Sequence, residues 1–145
     1  MDAFEAISLP EPSSLAGKKH FRLVDANRSL VLVRRIATDI VNNYRRLRQL
    51  HDSYQALDQI GDITDAERTR QEYLSITDHL SELREELEEI GCELKDFELG
   101  LVDFPSMRED REVHLCWKLG ESQIGFWHEA AAGFKGRQPI DEHTS

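Results

Sequence analysis

Basic residues are in deficit. Eighteen Lys and Arg stand against 28 Asp and Glu, a formal net charge of -10. Such a surface repels a phosphate backbone, so nucleic acid is not an expected partner. Cysteine is almost absent: Cys92 and Cys116 cannot build a disulfide framework and lack metal-ligand spacing. A reducing cytoplasm is the simplest compartment for such a chain. No apolar run reaches the roughly 18 residues that a membrane span needs, so no membrane partner is expected. The first residues have no basic start and no apolar core segment, so no secretory signal is expected. No phosphate-cradling glycine loop, paired-carboxylate motif or basic–aromatic interleaving occurs.

The chain does contain two long heptad patterns. Leu30, Val33, Ala37, Ile40, Tyr44, Leu47, His51 and Tyr54 recur at spacings of three and four. This predicts a helix over about 25–60, with Asp25 as its cap or first-turn acid. Tyr73, Ile76, Leu80, Leu83, Leu87 and Ile90 repeat the pattern, predicting a second helix over 64–90. Thr64 with Glu67 suggests a capping box at its start, and Gly91 a stop. The short break at Gly61-Asp62 folds the two into an antiparallel pair. Centring the turn sets Arg34 and Arg35 opposite Glu88 and Glu89, and Arg46 opposite Asp78. Charge runs along these helices then read as a solvated face.

Helix one carries more apolar surface than one seam needs. Leu32, Ile36, Val41, Leu50 and Leu57 lie outside it, and Leu30-Val31-Leu32-Val33 is apolar all round. That predicts a sheet packed around its start, and a second interface, a homodimer contact, near the hairpin tip at Leu50 and Leu57.

The period then changes to two. Strands are expected over 99–104, 112–119 and 124–128, the last two as a hairpin around the 120–123 turn. Val113, Leu115, Trp117 and Leu119 share one strand face; Glu112, His114, Cys116 and Lys118 share the other. Met107 to Arg111 reads as a polar connection. Gly133, Gly136 and Pro139 mark 130–140 as a closing loop. The expected organisation is a disordered leader over 1–18, one α+β domain over 19–140 and a tail over 141–145. The fold is a long antiparallel two-helix, coiled-coil-like hairpin packed with a small antiparallel sheet over about 99–128.

Several strings carry a resemblance. Gly91-Cys92-Glu93-Leu94-Lys95-Asp96, Gly100-Leu101-Val102-Asp103-Phe104-Pro105, Cys116-Trp117-Lys118-Leu119-Gly120-Glu121 and Phe126-Trp127-His128-Glu129 are among them. Gly133-Phe134-Lys135-Gly136-Arg137-Gln138-Pro139 is another. Together they resemble domain-of-unknown-function family 2203 of bacterial proteins, over about residues 19–140. His20-Phe21 with Ala26-Asn27 resembles that family's N-terminal signature, and Arg22 stands where the family often has Ser or Thr. The resemblance implies no activity.

The candidate ligand-binding residues are Asp103, Trp117, Glu121, Trp127, His128 and Arg137. Aromatic side chains suit a pocket lining and the polar ones suit its fixings. Arg137 has two readings: a fork that pins the loop to Asp103 or Glu121, or an anion-binding group. One aromatic face of the 112–128 hairpin needs a cover other than the helices. His128-Glu129 lacks the second histidine of a zinc-peptidase helix, because position 132 is Ala132. His20, His114, His128 and Glu129, with Asp103, are weak metal candidates with no diagnostic spacing; no metal or other cofactor is expected. Cys92 or Cys116 with a histidine is a weak nucleophile candidate. Three functions follow: an interaction or assembly module, homodimeric or bound to another protein; a binder of small anionic ligands; or a metal-dependent hydrolase using His128 and nearby carboxylates.

Overall fold

The computed structural model describes residues 19–141. The expected leader, and the expected tail beyond Asp141, lie outside the described residues. Asp141 itself is tied in, accepting from Arg108 at 2.8 Å. Helices α1 (Leu23–Gln59) and α2 (Ile63–Ile90) form the antiparallel pair. A five-stranded antiparallel sheet follows: β1 (Glu93–Asp96), β2 (Leu101–Arg108), β3 (Arg111–Lys118), β4 (Phe126–Glu129) and β5 (Gln138–Pro139), adjacent in that order. The chain is α+β, as the change of period predicts.

The three-and-four spacing does what a seam must. Leu30, Val33, Ala37, Ile40 and Leu47 of α1 are buried in one core with Tyr73, Leu80, Leu83 and Leu87 of α2. Gly91 ends α2 in the left-handed conformation, φ 111°, with its N–H on the Leu87 and Glu88 carbonyls. Such a turn favours glycine because it has no Cβ.

At the helix starts Asp25 is the first-turn acid, one of its two expected roles, whereas the cap of α2 differs from expectation. Residue Leu23 opens α1, and Asp25 sits in the first turn, bonded to Arg22 at 3.0 Å. Thr64 does not cap α2. Asp62 does, accepting from the Asp65 N–H at 3.1 Å. An ionised carboxylate satisfies helix-end N–H groups and complements the helix dipole.

The interhelix charge pairs also differ. Arg46 bonds Glu72 at 3.0 Å instead of Asp78. Arg34 reaches the Ser122 carbonyl at 3.0 Å, and Glu88 pairs with Arg84 on its own helix. Exposed long side chains contribute little to register and take whichever partner is in reach; the apolar seam decides it.

The sheet approaches α1 from one side. Asn27 accepts from the Ile124 N–H at 2.8 Å, Tyr44 stacks on Phe97 at 5.8 Å, and Val41 abuts Gly100. The start of α1 is therefore not buried all round: Val31 is 73% exposed and Leu32 49%. Nor is Leu50 surplus, being buried in the core, and Leu57 is half-buried.

β1 was not anticipated, and β2 runs four residues past the expected end at 104. Pro105 sits inside β2 without breaking it. Its carbonyl accepts from the Phe21 N–H at 2.7 Å, so its ring nitrogen faces that side too and removes no bond to β3. The expected polar connection is instead a tight β2–β3 turn, Glu109-Asp110, with φ 51° and 62° and no glycine. β4 begins at Phe126, two residues later than expected, and the closing segment adds β5 as an edge strand.

Register sorts the two faces. Val102–Trp117, Phe104–Leu115 and Leu115–Trp127 are opposed on the helix side. Trp127 is thus a core residue, and protein covers it. Asp103–Cys116, His114–His128 and Cys116–Phe126 are opposed on the outer side.

Candidate functional site

The outer face of a sheet backed by helices ordinarily carries exposed polar residues. Here it holds buried ones. Asp103 and His128 have side chains 3% and 2% exposed, and His114 12%. Cross-strand pairing makes His114 and His128 neighbours, with ring centroids 5.4 Å apart. Both approach one oxygen: His128 Nε2 lies 3.0 Å from Asp103 Oδ2, and His114 Nδ1 lies 3.3 Å from it. One donor atom from each of the three residues falls within 4.8 Å of the others.

The remaining ring nitrogens also face acceptors. His128 Nδ1 lies 2.7 Å from the Glu129 carbonyl, so it donates there. His114 Nε2 lies 3.9 Å from Glu112 Oε1. Burial, the largest single influence, acts to lower the pKa of His128, but the hydrogen bond that His128 Nε2 gives to Asp103 opposes it. Together with Cys116, the Asp103 charge and the Glu129 carbonyl, that bond outweighs burial and pushes the group up to about 10. Burial acts to raise Asp103, and the two histidines hold it below the usual carboxylate range instead.

A cavity of about 320 Å³ opens over this face. Asp103, Cys116 and His128 form part of its floor, Lys95 stands among its lining, and 130–134 contributes a wall. Opposite Asp103, the buried Glu93 is held by Lys95 Nζ at 2.7 Å.

The other candidates lie elsewhere. Trp117 is fully buried on the helix side, its indole N–H donating to the Glu121 carbonyl at 2.9 Å. Arg137 donates from one terminal nitrogen to both Glu121 carboxylate oxygens, at 3.0 and 3.1 Å. Its guanidinium lies 3.9 Å over the Phe126 ring and 4.7 Å from that of Phe134. It pins the closing segment to the β3–β4 connection. His20 bonds Glu112 at 2.8 Å, and the Glu129 carboxylate pairs with Arg111 at 2.7 Å. Cys116 is buried beside His128, whose pKa its neighbours push up to about 10, so at neutral pH that ring carries its proton and is no base for the thiol. Cys92 is sealed away, donating to the Leu87 carbonyl, and burial pushes its thiol up to about 12. Sequence reasoning missed Glu93 and Lys95, which belong to the unanticipated β1. The alternation of Glu112 with His114 on one strand face was the available signal for Glu112.

The chain belongs to the family described as Uncharacterized conserved protein (DUF2203), whose model matches residues 19–140. No curated protein and no solved structure matches it. The match spans both helices and the whole sheet, so the buried outer-face cluster lies within the family domain.

Proposed function

We propose that this DUF2203 protein binds one divalent transition-metal ion, of the zinc type, through Asp103 Oδ2, His114 Nδ1 and His128 Nε2. The convergence of these three donors within 4.8 Å carries the reading. Two imidazoles and a carboxylate are a zinc-type donor set. Donors held about 2.0–2.1 Å from a tetrahedral ion stand roughly 3.3 Å apart, and the two contacts to Asp103 are 3.0 and 3.3 Å. The Glu129 carbonyl fixes the His128 tautomer that leaves Nε2 as the ligand atom. With three protein ligands, of which Asp103 and His128 line a cavity, a fourth position is left for water or substrate, as in hydrolytic zinc centres. Elemental analysis after zinc reconstitution tests this. One ion per chain is expected in the wild type, falling at least tenfold in occupancy in Asp103→Asn and His128→Gln. Wild-type protein that retains no stoichiometric metal would overturn the reading.

A second reading, self-association, is favoured by exposed apolar residues on α1: Val24, Val31 and Leu32, at 47%, 73% and 49% exposure. Light scattering tests it; a monomeric mass at high concentration excludes it.

A further inference from the structure

A metal centre at the floor of a cavity calls for a ligand of matching charge. Two neutral imidazoles and one carboxylate leave a divalent ion with one net positive charge. The lining adds an ammonium, Lys95, ion-paired with Glu93. In the β1–β2 ladder Glu93 opposes Asp103 and Leu94 opposes Val102, but Asp96 opposes Leu101, so one extra residue is inserted on β1. Such a bulge re-aims side chains, and here both Lys95 and Asp96 line the cavity. They are not equivalent there. Asp96 Oδ1 accepts from the Glu98 and Leu99 N–H groups, at 2.8 and 2.7 Å, and is committed to its own turn. Lys95 gives a bond to Glu93, and an ammonium has three N–H donors. The opposite wall is small and apolar, Ala130 to Gly133 with Phe134.

We infer that the cavity takes a small oxyanion-bearing molecule, a carboxylate or a phosphate, bound by the metal's open side and by Lys95, with its apolar part against the 130–134 wall. The inference rests on the metal reading. The volume, about 320 Å³, lies at the small end of ligand pockets and suits a metabolite-sized molecule.

The test uses the full chain loaded with cobalt(II), whose visible absorption reports a change of ligand at the metal. Inorganic phosphate and acetate are titrated separately into wild-type protein, Lys95→Gln and Lys95→Arg. Each loaded protein is first checked for stoichiometric metal. The expected result is a saturable spectral change with at least one anion, weakened about tenfold or more in Lys95→Gln and largely restored in Lys95→Arg. The tighter of the two anions identifies the headgroup. Loaded protein that responds to neither anion overturns the inference and leaves the metal reading standing. Equal affinity in Lys95→Gln also overturns it, by removing Lys95 from the site. Protein that loads no metal overturns both.

Discussion

His128 Nε2 lies 3.0 Å from Asp103 Oδ2, while its Nδ1 lies 2.7 Å from the Glu129 carbonyl. Both nitrogens face acceptors, so the metal-free ring favours the doubly protonated form. Its pKa stands at about 10 against an ordinary 6.5. A group whose folded pKa is raised contributes stability fully below its unfolded value and loses it as pH rises through the folded one. Chelator-treated protein should therefore lose the His128 contribution between about pH 6.5 and 10. Asp103, with its pKa lowered, gives the opposite limb: its contribution is present above about pH 4 and is lost on acidification. Thermal melts of wild type and His128→Gln across pH 5–10, both metal-free, measure this. The gap in Tm should narrow steadily on the alkaline side; a gap independent of pH would show that no proton is held there.

The two tryptophans differ in one bond. The Trp117 indole N–H donates to the Glu121 carbonyl, whereas the Trp127 N–H is buried without a partner among the described residues, beneath an Arg108 guanidinium 4.4 Å from the ring centroid. Replacement by Phe removes comparable volume from both. Trp117→Phe also orphans a carbonyl, a loss of roughly 1–3 kcal/mol. Denaturant titration should rank Trp117→Phe as the more damaging by about that amount.

Gly100 is confined by backbone and by neighbours. Its φ is +69°, and a Cβ there would stand 2.9 Å from Leu119 Cβ and 3.1 Å from Val41 Cγ2. Gly120, φ +106°, has nothing among the described residues within 4 Å of the same point. Gly120→Ala should then cost only the backbone strain, about 1–2 kcal/mol. Gly100→Ala should cost roughly 2–5 kcal/mol, because the helix–sheet junction must also move. Unfolding midpoints of the two variants test the difference.

How far these features were legible depends on the range of the interaction that creates them. The α1–α2 seam was readable because Leu30 to Tyr54 and Tyr73 to Ile90 repeat a local period. β1 was not. Glu93-Leu94-Lys95-Asp96 is short, has one apolar residue and contains a bulge, so no alternation shows. The Glu109-Asp110 turn was hidden because its left-handed residues are not glycine. Pro105 read as a strand end because which side its nitrogen faces depends on Phe21, 84 positions earlier. The site followed the same rule. His114 and His128 were visible singly, but their meeting at Asp103 depends on the register of three strands, which no local pattern carries.

Arg137 separates a structural role from a role in ligand binding. Its guanidinium stacks on Phe126 and grips Glu121, and Arg137 is absent from the cavity lining. Lysine keeps the charge but cannot stack a planar group. Arg137→Lys should therefore loosen the segment that closes β5 onto β4 without touching the three metal donors. Hydrogen exchange should speed up by an order of magnitude or more at Arg137 and Ile140, whose N–H groups bond the Phe134 and Gly125 carbonyls. Zinc affinity should stay within about threefold of wild type. A large loss of zinc affinity with unchanged exchange would reverse the assignment and put Arg137 in the site.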